Sequence, residues 1–381
     1  MKALRNPQSG QILALRDRRL YPIYEKVIEG QRLSFEDGLL LYETDDLAGV
    51  GFLANIVRER INGNKAYWVR NQHLNYTNIC DKFCKFCSFY AKKGGPAPYV
   101  LSMEEVRQKL LAYIDIPITE IHIVGGIHPR LPYQYYLDLL RTVKEVRPNA
   151  HIKAFTMIEL QQIQKVAKKP LEEVLIELRE AGLGSMPGGG VEVLSDRLHE
   201  ELFDRKLDGE EWLQTARTVH RMGFRSNVTM LYGHIERPDE RVQHMIRIRE
   251  LQDETGGFLT FIPLSFHPEG SALAHLPGPT GYDDLRNIAV ARLMLDNIEH
   301  IKSFWVMNTP AVTQVALWYG ADDVDGTIQE YEITRDPTTD RRQVLTREQL
   351  LELIREAGRE PVERDTLYHV IQRDAEGAVA G

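Results

Sequence analysis

The chain has 381 residues, 43% of them hydrophobic and 27% charged, enough apolar material to bury a sizeable core. Against 55 Asp and Glu stand 47 Lys and Arg, a net charge of −8, so no basic surface argues for nucleic acid. No run of about 18 apolar residues is available to span a membrane. The opening MKALRNPQSGQILALRDRR lacks the continuous apolar stretch of a secretory signal, and a cytoplasmic location is expected.

In chain order, residues 1–65 read as a helical extension, with Ser34 and Asp37 spaced as a capping box and Asp45 or Asp46 opening a helix that runs through Ile61. From residue 66 short apolar runs alternate with amphipathic stretches. Strands are expected at 67–74, 120–124, 151–155, 184–186, 227–231, 258–264 and 303–307. Helices are expected between them at 102–114, 132–146, 171–181, 210–222, 238–254, 283–299 and 310–319. Repeated βα units imply a parallel sheet with right-handed crossovers, so residues 66–325 are expected to form an α/β fold of TIM type, a partial or full (β/α) barrel. An open doubly wound sheet is the alternative. Residues 326–381 read as a small appendage with a charged loop, a helix at 346–357, an extended piece at 362–370 and a disordered tail, DAEGAVAG.

The three cysteines all fall within eight positions, at Cys80-x3-Cys84-x2-Cys87, just after the first expected strand. A disulfide framework would spread an even number along the chain. Cubane clusters are held by thiolates, normally four. Three ligands leave one iron open, and S-adenosylmethionine (SAM) can chelate it through its amino and carboxylate groups. Three other readings compete: a zinc site completed by His73 or His122, a redox pair of Cys84 and Cys87, and buried structural cysteines. The spacing favours the [4Fe–4S] cluster over all three.

With these cysteines the chain resembles the radical SAM superfamily. The resemblance implies that Phe86, before the last cysteine, lies beside the adenine. It also matches Gly125 and Gly126, in IVGGIHP after the second strand, to the glycine pair that holds the methionine end of SAM.

A closer resemblance, over nearly the whole chain, is to the aminofutalosine synthase family of menaquinone biosynthesis. It is carried by HIKAFTMIEL (151–160), SMPGGGVEVL (185–194), SNVTMLYGHIE (226–236), LQDETGGFLTFIPLSF (251–266), DNIEHIKSFW (296–305), GADDVDGTIQE (320–330) and ERDTLYHVI (363–371). The resemblance implies a transferase that adds the 5′-deoxyadenosyl radical to 3-[(1-carboxyvinyl)oxy]benzoate. Aryl migration and decarboxylation then give 6-amino-6-deoxyfutalosine, methionine and bicarbonate. It also implies a low-potential electron donor such as flavodoxin or ferredoxin.

Glu159 and Glu192 each follow an expected strand, where a carboxylate can accept hydrogen bonds from SAM. The Gly188–Gly190 run reads as tight packing under SAM or substrate. His128, His234 and Arg335 are candidate catalytic groups, Arg335 because it stands where the family carries a histidine. A dianionic aryl enol-ether substrate needs positive partners, and His128, His234, Arg225 and Arg292 are candidates. The rivals are the dehypoxanthine futalosine cyclase and FO synthase subunits, and, from another class, a non-catalytic zinc-binding scaffold.

Overall fold

Ser102, Thr156, Thr280 and Thr346 each stand three residues before a Glu, Asp or Gln, and each pair closes a capping box at the start of a helix. In the computed structural model, which describes residues 4–203, 208–333 and 344–372, these helices alternate with strands that close into a ring. A short antiparallel pair, β1 (Leu4–Arg5) and β2 (Ile12–Leu13), leads into α1 (Tyr21–Glu29), α2 (Phe35–Glu43) and α3 (Leu47–Asn62). Ser34 and Asp37 form the expected capping box, and Asp46 caps α3.

The first rung of the ring is β3 (Lys65–Val69) followed by β4 (Asn71–Leu74), interrupted at Arg70. β4 pairs with β5 (Glu120–Ile123), which pairs with β6 (His151–Ala154). The expected fourth strand is reduced to two bridges, Lys153 with Ser185 and Met186 with Ser226. From there β7 (Ser226–Tyr232), β8 (Phe258–Ser265) and β9 (His300–Ile301) follow. A bridge from Lys302 to Asp323 reaches β10 (Asp323–Gly326), which pairs with β3. Every pairing around the ring is parallel, so the sheet returns to its first strand as a full barrel.

Helices α4 (Met103–Leu111), α5 (Tyr133–Val146), α6 (Met157–Ala167), α7 (Leu171–Glu180), α8 (Asp196–Leu202), α9 (Gly209–Arg221), α10 (Pro238–Thr255) and α11 (Gly281–Met294) connect the rungs. Past the ring lie α12 (Trp305–Asn308), α13 (Pro310–Ala316), α14 (Arg347–Glu356) and β11 (Glu360–Glu363). β11 lies parallel to β3, and Arg359 reaches Glu59 at 2.8 Å and Asn55 at 2.7 Å. The described C-terminal residues are thus tied into the barrel wall and α3. The tail lies outside the described residues.

Other expectations also need correction. Residues 303–307 do not form a strand; the strand is His300–Ile301, and the apolar run beyond it turns into α12, where Trp305 Nε1 donates to Gly326 O at 2.9 Å. A short buried apolar run carries no period that separates strand from helix. The 283–299 helix stops at Met294, and α6 and α8 were not expected.

Paired charges fill part of the barrel interior. Lys153 meets Glu120 at 2.7 Å, Lys302 meets Asp325 at 2.8 Å, and Arg364 meets Asp323 at 2.6 Å. Such pairs hold only because each charge has its partner. Among the described residues no helix is long and apolar enough to cross a membrane.

Candidate active site

The cysteine loop leaves the C-terminal end of β4 and is stitched shut at its base. Thr77 Oγ1 donates to Tyr99 O at 2.7 Å, and Asn78 Nδ2 donates to Ala97 O at 2.9 Å. Asn78 also accepts from Tyr99 N at 2.9 Å. Inside the loop, Cys87 N donates to Cys84 O at 3.1 Å, the closure of a tight turn. All three cysteines are free and half-buried. Burial raises each thiol pKa, that of Cys87 to about 11, and Cys84 is raised further by its neighbours Cys87, Glu192 and Cys80. The three thiols and the Glu192 carboxyl therefore share one electrostatic neighbourhood.

The glycine pair lies against this loop. A Cβ on Gly126 would stand 2.4 Å from Ile79 O and 3.1 Å from Cys80 Cβ, so only glycine lets the cysteine backbone pass. Gly126 N donates to Thr77 O at 2.8 Å. A Cβ on Gly125 would stand 2.6 Å from the Tyr76 ring, and Gly125 N donates to Glu159 Oε1 at 3.0 Å.

Glu159 is turned inward as the third residue of α6. It accepts from Thr156 N and Thr156 Oγ1 at 2.8 Å each and from the Tyr76 hydroxyl at 2.8 Å. Burial outweighs these donors and pushes its carboxyl up to about 7.

Beside the cysteine loop a cavity of about 270 Å³ opens at the barrel mouth, lined by Phe86, Cys87, Gly188, Gly189, Gly190 and Glu192 on one side and by His73, His122, Asp325 and Tyr331 on another. The glycine run fits here sterically. A Cβ on Gly188 would meet Thr229 Cγ2 at 2.7 Å, and one on Gly190 would meet Ile158 at 2.5 Å. Glu192, held in a left-handed conformation (φ 55°), is pushed up to about 7 by burial. Phe86 packs edge-on against Phe203 at 5.8 Å.

The comparisons with known proteins accord with this geometry. Residues 74–248 match the Radical SAM superfamily, and residues 255–376 match the CofH/MqnC C-terminal region. The chain is 48% identical to the aminodeoxyfutalosine synthase of Thermus thermophilus, over 94% of this chain and 97% of that one. The chain belongs to the radical SAM superfamily. An aminodeoxyfutalosine synthase of Streptomyces coelicolor is 43% identical, over 93% of this chain and 94% of that one. A cyclic dehypoxanthine futalosine synthase of Halalkalibacterium halodurans is 38% identical, over 92% and 94%. Among solved structures, methylornithine synthase superposes with a TM-score of 0.71 at 18% identity, covering 89% of this chain and 97% of that one. The hydrogenase maturase HydG of Carboxydothermus hydrogenoformans gives 0.69 at 16%, covering 92% and 80%. These two superpositions bear on the fold.

A radical SAM chain takes a [4Fe–4S] cluster and SAM, and the residues present fit both. The thiols are unpaired with one another, and bound metal removes their protons. Among the described residues no three His, Cys, Asp or Glu side chains converge as ligands of one ion do. On a cubane each thiolate takes a different iron, so such convergence is not required. The cavity beside the cysteine loop also holds a buried Thr229 hydroxyl without a hydrogen-bond partner.

Of the expected site residues, Phe86 and Glu192 meet the cysteines at the cavity. Gly125, Gly126 and Glu159 stand behind the loop and support it. His234 lies outside the cavity lining, closed into a knot with Glu236 at 3.0 Å and Leu231 O at 3.1 Å. His128 accepts from Arg130 N at 3.1 Å in the turn after the glycine pair and does not line the cavity either. Arg292 is buried against Asp322 at 2.5 Å, and Arg225 is exposed beside the first residue of β7, at the opposite end of that strand from the mouth. Arg335 lies outside the described residues. Sequence reasoning weighed His73 and His122 only as zinc ligands. Their place on alternating, inward-facing positions of β4 and β5 was the available signal.

Proposed function

We propose that the chain is an aminofutalosine synthase. The observation that carries this reading is the similarity to two aminodeoxyfutalosine synthases over almost the whole of each chain. Cys80, Cys84 and Cys87 hold the cluster, Phe86 lies along the adenine, and Glu192 accepts hydrogen bonds from SAM. When bound, the cluster and SAM together supply a 5′-deoxyadenosyl radical. The chain's own work is to exclude water at the barrel mouth and to hold the acceptor alkene in line with the adenosyl carbon. In the net reaction SAM, 3-[(1-carboxyvinyl)oxy]benzoate and water give 6-amino-6-deoxyfutalosine, methionine and bicarbonate, with no net change of redox state. A low-potential carrier such as flavodoxin or ferredoxin primes the cluster, and the cytoplasm is where such carriers are found.

A second reading is favoured by the similarity to a cyclic dehypoxanthine futalosine synthase. SAM labelled in the ribose separates the two. In an anoxic incubation with reductant and the enol-ether benzoate, the synthase puts the label into a product containing both adenine and the aryl carboxylate. Free labelled 5′-deoxyadenosine as the dominant species at saturating substrate supports the cyclase instead.

A further inference from the structure

We propose that His73, seated on His122, binds one carboxylate of the dicarboxylate substrate. This rests on the synthase reading for the identity of that substrate and adds to it the residue that receives the anion.

His73 is 3% exposed, and neither ring nitrogen has a hydrogen-bond partner in the protein. A buried polar group left in this state is destabilising, because it has given up its hydrogen bonds to water for nothing. The ring is nonetheless held in place. It stacks on His122 at 4.5 Å with planes 5° apart, and Tyr331 meets it edge-on at 5.4 Å. One face and a ring contact are taken by protein, while His73 lines the cavity and the hydrogen-bonding capacity of both its nitrogens is unused. That is the arrangement of a ligand group, because packing fixes the ring and leaves its nitrogens for something that arrives later.

The charge around the cavity points the same way. Among the described lining residues there is no lysine or arginine, so the donors available to an anion are imidazoles and hydroxyls. His267 Nε2 is engaged with Met307 O at 3.2 Å. Asp325, the acid nearest in the His73 group, is neutralised: Lys302 meets one oxygen and Asn71 Nδ2 the other, both at 2.8 Å. Behind His122, Glu120 lies 3.8 Å from its Nδ1 and is itself paired with Lys153. An incoming carboxylate therefore meets an imidazole edge and no uncompensated negative charge on that side. Burial keeps His73 neutral, which still leaves one N–H to donate.

The strongest electrostatic neighbours differ between the two sides of the cavity. Glu192 is coupled to Cys84 and Cys87, whereas His73 is coupled to His122, Asp325, Glu120 and Lys153. The cationic cofactor thus has a carboxyl on its side and the anionic substrate has imidazoles on its own. His73 and Ser88 also border a second cavity of about 530 Å³, whose lining includes Tyr99, Lys109, Glu330 and Glu332.

The test uses the cluster-loaded enzyme with SAM under anoxia. Binding of 3-[(1-carboxyvinyl)oxy]benzoate is measured by equilibrium dialysis for wild type, His73→Phe and His73→Gln, alongside SAM affinity and iron and sulfide content. Phenylalanine keeps the stack and loses the donor, while glutamine keeps a donor. His73→Phe should weaken substrate binding about tenfold to a hundredfold with SAM affinity and cluster content unchanged, and His73→Gln should recover most of the loss. Wild-type substrate affinity in His73→Phe overturns the proposal. So does a loss of cluster or SAM binding in both variants, which would make His73 structural. Failure of the wild type itself to bind and convert the benzoate removes the synthase reading and this inference together. Conversion by wild type with an indifferent His73→Phe removes this inference alone.

Discussion

Alanine at Gly126 should separate cluster assembly from folding. Neither Gly125 nor Gly126 has a left-handed φ, so alanine is not penalised by its own backbone. The cost comes from what the methyl group meets. At Gly126 the new Cβ would stand 2.4 Å from Ile79 O and 2.8 Å from Ile79 C, where ordinary contact begins near 3.4 Å. The backbone entering Cys80 must therefore retreat by about 1 Å, against the Gly126 N to Thr77 O and Asp81 N to Ile127 O bonds that clamp it. Overpacking of this kind costs about 1–3 kcal/mol, which a barrel of this size survives. A displacement of about 1 Å in a preorganised site costs about a hundredfold in rate. Gly126→Ala should therefore stay folded, with loss of iron and sulfide after anaerobic reconstitution and SAM cleavage reduced about a hundredfold. Gly125→Ala is the control: its methyl meets the Tyr76 ring at 2.6 Å, so it should lower the melting temperature with less effect on cluster content. Cluster content and SAM cleavage within twofold of wild type in Gly126→Ala would refute the steric reasoning.

Alanine at Cys80, Cys84 or Cys87 should abolish the visible absorbance of the cluster and all SAM cleavage, while far-ultraviolet circular dichroism stays that of the wild type. Glu192→Gln should weaken SAM binding to the reconstituted enzyme by about one to two decades, the worth of one charge-assisted hydrogen bond of about 1.5–3 kcal/mol, read by calorimetry. Asp325→Asn and Lys302→Met each leave a buried charge without its nearest partner and should each cost about 3–5 kcal/mol in denaturant unfolding, with the double variant costing less than the sum. Glu159 has a folded pKa raised from 4.5 to about 7, so its contribution is fully present below about pH 4.5 and is lost as pH rises through about 7. Glu159→Gln should flatten the pH dependence of unfolding across that window by roughly 3 kcal/mol, and an unchanged slope would contradict the assignment.

Much of the barrel was legible because its helices announce themselves through caps and its middle strands through apolar runs. Ser102, Pro238 and Thr346 mark helix starts that agree with the structure to within a residue. The eighth strand was not legible, and the reason is chemical. Asp323 and Asp325 in DVDG read as loop residues, yet each meets a cation inside the barrel: Arg364 from beyond the ring, and Lys302 from the neighbouring rung. A strand whose inward side chains are acids is invisible to hydrophobic patterning, because its burial depends on partners far away in the chain.

The site divides along the same line. The cysteine spacing is a local signal and was readable, and Glu192 beside the glycine run does lie near the cysteines. Glu159 looked equivalent to Glu192, since both are glutamates that follow a strand. Its own neighbourhood carried the distinction: Thr156-x-x-Glu159 is a capping-box pattern, and a carboxylate drawn back to its own helix start is not free to face a ligand. Glu192 has no such partner three residues upstream, where Gly189 stands, and its left-handed backbone turns away from regular structure altogether. His73 and His122 pose the harder case. Each lies on a strand, and its alternating position there is the one local signal, which does not by itself mark a site residue. The pair exists only because parallel pairing sets His73 opposite His122 in register. Once that register closes the barrel, two unremarkable histidines become a stacked donor at the wall of the cavity that holds Cys87 and Glu192.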